Sequence, residues 1–148
     1  MGIDELRRQH QELTRLARQL LEAVEDCATQ QGIGTVRWQL ARQLMAHLAL
    51  EDRIFYPAMQ RLPDERARMT ARRLEGEMGM LAQNFSAYMQ RWDDDHIARH
   101  WAEFCHETRE LLGLLKKRIE QEEQLLYPLA ETSARPAGTT SPTAERSG

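Results

Sequence analysis

No stretch of this 148-residue chain approaches the roughly 18 apolar residues a membrane helix requires, and its opening, MGIDELRRQHQEL, is charged where a signal peptide would carry an apolar core. A membrane protein or a signal-led secreted one is therefore not expected, and a cytoplasmic protein is. Only two cysteines occur, Cys27 and Cys105, far apart and without CxxC spacing; a disulfide framework is excluded, and the pair reads as reduced thiols in a reducing compartment. The formal net charge is −3 and comes from interspersed acids and bases, with no block of one sign. Nothing offers a face for nucleic acid. No run alternates with the period of two that marks a strand. A nucleophile elbow, a phosphate loop and a Cys–His pairing are all missing, so catalysis has no independent support.

What is present is helical periodicity. In the first segment Ile3, Leu6, His10, Leu13, Ala17, Leu20, Val24 and Cys27 recur at alternate spacings of three and four, broken only by His10. A second segment, with Thr35 as its expected N-cap, gives Leu40, Leu44, His47, Glu51, Ile54 and Ala58. The third opens at Pro63 and Asp64 and runs Ala67, Ala71, Leu74, Met78, Leu81, Phe85, Tyr88, Trp92, with Glu77 beside the stripe. The fourth follows Asp93, Asp94 and Asp95, acids that suit a helix N-terminus, and reads Ile97, Trp101, Phe104, Thr108, Leu111, Leu115, Arg118, Glu122, Leu125, Leu129. Four stripes joined by short connections predict an all-α fold, an antiparallel up-down-up-down four-helix bundle over residues 1–131. From residue 132 to 148 the composition turns to Ser, Thr, Pro, Ala and Gly, which reads as a flexible tail. A monomer or homodimer is expected.

The polar intrusions fall at one level. With a rise of about 1.5 Å per residue, His10, His47 with Glu51, Glu77, and Arg118 with Glu122 all lie at a similar distance from one end of such a bundle. Unpaired, each costs several kcal/mol in an apolar core, so each must find a partner, a proton or a metal. Histidine and carboxylate four residues apart on one helical face reach a common centre, and His47 and Glu51 have that spacing. Two segments are related: HLALEDRIFYP (47–57) and RIEQEEQLLYP (118–128) share a glutamate, an acid after it, an aliphatic residue and a closing Tyr-Pro, while His47 is matched by Arg118. Proline six residues past each glutamate is expected to bend or fray both helices there. Tyr56 and Tyr127 are read as packing residues able to hydrogen-bond a carboxylate.

RRQHQEL at His10, HLALEDRIFYP at His47 and Glu51, and RIEQEEQLLYP at Glu122 together resemble the hemerythrin-like (HHE cation-binding) domain, over residues 1 to about 130. The resemblance implies a four-helix bundle with a non-heme di-iron centre bridged by carboxylates, serving to bind or sense dioxygen or nitric oxide or to handle iron. By position it makes His10 and His47 terminal ligands and Glu51 and Glu122 the carboxylates. The third-helix histidine is replaced by Glu77 or Met78, and the fourth-helix histidine by Arg118.

Arginine, always protonated and without a lone pair, ligates no metal. With Glu77 facing the layer, three glutamates and Arg118 leave −2 when both histidines are neutral, which one divalent ion cancels. One metal is therefore expected rather than two, with ligands His10, His47, Glu51, Glu77 and Glu122. Iron is the first expectation and manganese or zinc the alternatives. Arg118 becomes a fixed cation that also holds a carboxylate or incoming anion. Three functions remain open: binding or sensing of dioxygen, nitric oxide or a small anion; a metal-dependent oxidase or oxygenase; and a metal-free bundle with a buried Glu–Arg pair acting as an interaction module.

Overall fold

Capping chemistry sets the starts of two helices. Asp64 accepts a hydrogen bond from the Arg66 N–H at 3.3 Å and Asp93 from the His96 N–H at 2.9 Å, each satisfying a donor that a helix start leaves free. The computed structural model describes residues 2–25 and 33–134. Its elements are α1 (Ile3–Glu25), α2 (Ile33–Leu50), a π-helical turn (Glu51–Phe55), α3 (Tyr56–Met59), α4 (Glu65–Met78), α5 (Leu81–Arg91), α6 (Asp94–Arg99), α7 (Trp101–Gln121), a second π-helical turn (Glu122–Leu126) and α8 (Tyr127–Ala134). The described residues contain no strand, and the fold is all-helical. Among them no helix is long and apolar enough to cross a membrane. Cys27 and residues 135–148 of the expected tail lie outside the described residues.

Thr35 does not cap α2, because the helix is already running at Ile33. The third stripe keeps its inward face, yet its helix is interrupted between Met78 and Leu81. Gly79 makes that break: its N–H reaches the Glu75 carbonyl at 2.8 Å, and a Cβ there would stand 2.4 Å from the same oxygen.

The π-helical turns correct the register of the second and fourth stripes. In each, the tyrosine N–H bonds five residues back, Tyr56 to the Glu51 carbonyl and Tyr127 to that of Glu122. Proline at 57 and 128 has no N–H and its ring presses on the carbonyl four residues earlier; the wider turn absorbs both effects. Neither helix frays, and the flanking residues keep right-handed helical angles. An α-helix would carry residue i+5 about 140° round from residue i, whereas i→i+5 closure returns it over residue i. Beyond each glutamate the buried set therefore slips by one residue. Ile54 and Leu125, expected inside, are 53% and 37% exposed, while Phe55, Tyr56, Leu126 and Tyr127 are buried.

The apolar core has two parts. One gathers Leu13, Leu20, Leu40, Leu44, Phe85, Tyr88, Phe104 and Leu115; the other gathers Leu6, Phe55, Tyr56, Met59, Leu74, Leu126 and Tyr127. Along α1, α2 and α7 alike, the polar residues sit where one part gives way to the other. Apolar slabs on both sides exclude water from that level and strengthen every charge interaction within it. Packing joins α1 to α2 and α7, α2 to α5, α5 to α7, and α4 to α3, α7 and the second π-helical turn.

Candidate metal centre

Five polar side chains are almost wholly enclosed at this level: His10, His47, Glu51, Arg118 and Glu122, none more than 4% exposed. Four of them bring a ligand atom each within 4.8 Å of one another, namely His10, His47, Glu51 and Glu122. Glu77 does not join them. It lies on the outer face of α4, exposed, with Arg73 at 3.6 Å. Ala67, Ala71 and Leu74 define the inner face of that helix, and Glu77 continues none of their spacing. Met78, its half-buried neighbour, contributes its carbonyl instead.

That carbonyl is freed by the break at Gly79, and Arg118 Nη1 donates to it at 3.2 Å. Arg118 Nε donates to Glu122 Oε2 at 2.9 Å, and Nη2 to both Glu51 Oε1 at 3.1 Å and Asp52 Oδ1 at 2.8 Å. One guanidinium thus bridges the two buried glutamates, ties in a third acid and caps the end of α4. Its plane lies over the Tyr56 ring, 5.4 Å from the centroid.

The tyrosines cross over. Tyr56, which follows Glu51 in sequence, donates to Glu122 Oε2 at 2.8 Å; Tyr127, which follows Glu122, donates to Glu51 Oε2 at 2.5 Å. The π-helical turns make this possible by returning each ring to the glutamate face. Burial and then the neighbouring glutamate charges push both phenol pKa values up, so both remain donors.

Each histidine is oriented from behind. His10 Nδ1 lies 2.7 Å from Glu123 Oε2, and His47 Nδ1 lies 2.6 Å from Gln9 Oε1. A carboxylate only accepts, so His10 Nδ1 carries a proton and Nε2 is turned inward. Inward, Nε2 meets Glu122 Oε1 at 3.1 Å and the Tyr127 oxygen at 3.0 Å, whose own proton goes to Glu51. His47 Nε2 faces Glu51 Oε1 at 3.2 Å in the same way. Lone pairs converging on lone pairs require a cation between them, either a proton or a metal. Two imidazoles and two carboxylates suit a first-row divalent ion, so this donor set fits one.

The titration directions describe the same imbalance. Burial opposes charge on His10, but the Glu122 hydrogen bond and charge, with Glu51 behind them, raise its pKa above the ordinary value. Burial likewise pushes Glu51 up, and the His47 hydrogen bond and charge together with Arg118 outweigh it, holding the carboxyl at about 2. Glu122 goes the other way: burial and the Glu51 charge raise it against His10 and Arg118. Arg118 is held protonated, its burial overcome by Glu122 and Glu51.

Gln9, Asp52 and Glu123 were not picked out from the sequence as functional. A signal existed for two of them, since an acid follows the glutamate in both related segments. From outside, a hollow of about 340 Å³ reaches His10 between Arg7, Gln11, Thr14, Ile119 and Glu123.

An all-helical fold over the described residues, enclosing two histidines and two glutamates that could hold a cation, is the class of protein these features define. The hemerythrin HHE cation binding domain matches it over residues 1–130, and the chain belongs to that family. No match is found among curated proteins or among solved structures.

Proposed function

We propose that the protein holds a single divalent metal, iron first and manganese or zinc as alternatives, on His10, His47, Glu51 and Glu122, and uses it to bind or sense dioxygen, nitric oxide or a small anion. The observation that carries this reading is the Arg118 guanidinium, which occupies the space between the two glutamates where a second cation would otherwise stand. With Glu77 outside, the charge balance still favours one ion. Asp52 matches Arg118 at 2.8 Å, and the −2 of Glu51 and Glu122 matches one divalent ion. When bound, such a metal would supply a Lewis-acidic centre, redox-capable if it is iron or manganese. The chain's own residues orient the imidazoles through Gln9 and Glu123, fix the carboxylates through Tyr56, Tyr127 and Arg118, and keep water out. Small ligands enter by the hollow beside His10.

The framework fits an antiparallel up-down-up-down four-helix bundle. Its four rods are α1, then α2 with α3, then α4 with α5, then α6 with α7 and α8, and packing of neighbouring rods supports the arrangement. Residues 1–131 form the core of the one domain, α8 carries it on to Ala134, and the protein works as a monomer or homodimer in the cytoplasm.

A second reading has one observation in its favour. With a proton on each of His10 Nε2 and His47 Nε2, the layer closes as a hydrogen-bonded network, since Arg118, Tyr56 and Tyr127 already serve both glutamates. The chain would then be a metal-free interaction module. Elemental analysis of protein purified without chelators and reconstituted anaerobically separates the two. One metal per chain is expected, falling in His47→Ala and rising in Arg118→His, which supplies an imidazole and removes the fixed charge. Two metals in the parent would refute the single-ion site, and none after reconstitution would leave the second reading.

A further inference from the structure

Between α1 and α7 an open groove of about 460 Å³ runs along the surface, within the range of about 300–1,000 Å³ typical of small-molecule sites. Its floor is apolar, formed by Ala17, Leu21, Leu112, Leu115 and Ile119. Gly113 deepens it. A Cβ added there would meet nothing within 4 Å, so no packing requirement explains a glycine that weakens the interior of α7. What the glycine provides is space against the α7 backbone.

The rim is basic. Arg18, Arg109 and Lys116 stand against one acid, Glu120, and none of the three cations has a carboxylate partner among the described residues. An apolar trough with an unpaired cationic edge complements a molecule with an apolar chain and one anionic head. Arginine grips a carboxylate with two parallel hydrogen bonds, which makes carboxylate the fitting head group.

We infer that the α1–α7 groove binds a free medium-chain carboxylate, the alkyl chain lying over Gly113 and the acid held among Arg18, Arg109 and Lys116. A second copy of the chain is a poor occupant, because docking this face on itself would oppose like charges. A bilayer is flat and cannot fill a recess between two helices. The groove shares Thr14 and Ile119 with the hollow beside His10, so an occupant lies next to the entrance of the buried layer. The proposal does not depend on whether that layer holds a metal.

The test is isothermal titration of the full chain with sodium decanoate below its micelle-forming concentration, with decyltrimethylammonium as the oppositely charged control. Saturable binding of one decanoate per chain is expected, with the cationic analogue at least about tenfold weaker. Gly113→Leu fills the trough and should weaken decanoate at least about tenfold while leaving the melting temperature no lower. Arg109→Glu, an exposed change that leaves the core untouched, should do the same and keeps the test decisive if the leucine variant misfolds. Absent saturation, equal binding of the two detergent-like probes, or unchanged affinity in Arg109→Glu would each overturn the proposal. So would a concentration-dependent dimer, or sedimentation with phosphatidylglycerol vesicles, that is lost in Arg109→Glu, because the surface would then belong to a second copy or to a membrane.

Discussion

Truncating Arg118 to alanine removes the one cation of the buried layer that no change of pH can neutralise. Its guanidinium serves Glu51, Glu122, Asp52 and the Met78 carbonyl. Asp52, one-third exposed, falls back on water; Glu51 and Glu122, with no exposure at all, do not. Removing one partner of a buried ion pair costs about 3–5 kcal/mol, and two fully enclosed carboxylates lose the same partner, which places the loss toward the upper end. Against a total stability of about 5–15 kcal/mol, and at about 3–4 °C per kcal/mol for a chain of this size, the metal-free variant should melt about 12–20 °C below the parent. The gap should narrow as pH falls, because protonation of Glu122, already raised in the fold, discharges half of the unpaired set. Far-UV circular dichroism melts of both proteins, metal-stripped, at neutral and mildly acid pH measure this. Arg118→Met, which restores volume without charge, should recover little alone and much more when combined with Glu51→Gln and Glu122→Gln. A neutral-pH difference under about 0.5 kcal/mol, the scale of an ordinary surface change, would mean that Arg118 does not hold the glutamates in solution.

Three further outcomes follow from the geometry. Tyr127→Phe deletes the donor 2.5 Å from Glu51 and should lower stability by about 1.5–3 kcal/mol, as for other hydrogen bonds to charged groups; an unchanged denaturant midpoint would show the bond to be absent. The raised pKa of His10 means that metal-free stability is fully present below the ordinary 6.5 and is lost as pH rises through the folded value. Metal affinity should climb over the same window because proton and metal compete for Nε2, and an affinity flat from about pH 6 to pH 8 would count against ligation by His10. The two tested glycines should respond oppositely. Gly79→Ala forces a Cβ onto the Glu75 carbonyl and should destabilise, whereas Gly113→Ala meets only open space and should stabilise by about 0.5–1 kcal/mol; thermal melts of the same sign would refute one of the two placements.

Most of the candidate site could be read before any coordinates because helical spacing is rigid. His10, His47, Glu51, Arg118 and Glu122 fall on stripes otherwise mostly apolar, and burial followed from that alone. Two things escaped the periodic reading, the first because it assumes 3.6 residues per turn throughout. Each π-helical turn adds a residue, so Ile54, Ala58 and Leu125 were placed one step out of phase, and the crossing of the tyrosine–carboxylate hydrogen bonds, though not their existence, was missed. Glu77 was drawn inward by its level along the bundle, and by the family pattern there, though it stands one residue off its own stripe. Arg37 was missed for a different reason: it is charged, and nothing near it in sequence announces a partner. The fold buries it with Nη2 on the Trp92 carbonyl at 2.7 Å and the guanidinium against the rings of Tyr88 and Phe104, contacts between distant segments that no local pattern encodes. Trp38, its neighbour, is 58% exposed.

The crossed tyrosines bear on the order of events during synthesis. Tyr127 closes on Glu51 over a sequence separation of 76 and on His10 over 117, so the layer is incomplete until the last helix has left the ribosome and docked. Before then His10, His47 and Glu51 are solvated side chains on an unfinished chain, a two-imidazole, one-carboxylate set that grips any divalent ion loosely and without a fixed shape. On the proposed reading, metal choice is made by the completed protein, whose geometry favours one ion over its competitors in a way raw affinity does not. Translation and loading are then separate steps, and a chain cut short before Glu122 would be expected to leave the cell's metal pool undisturbed.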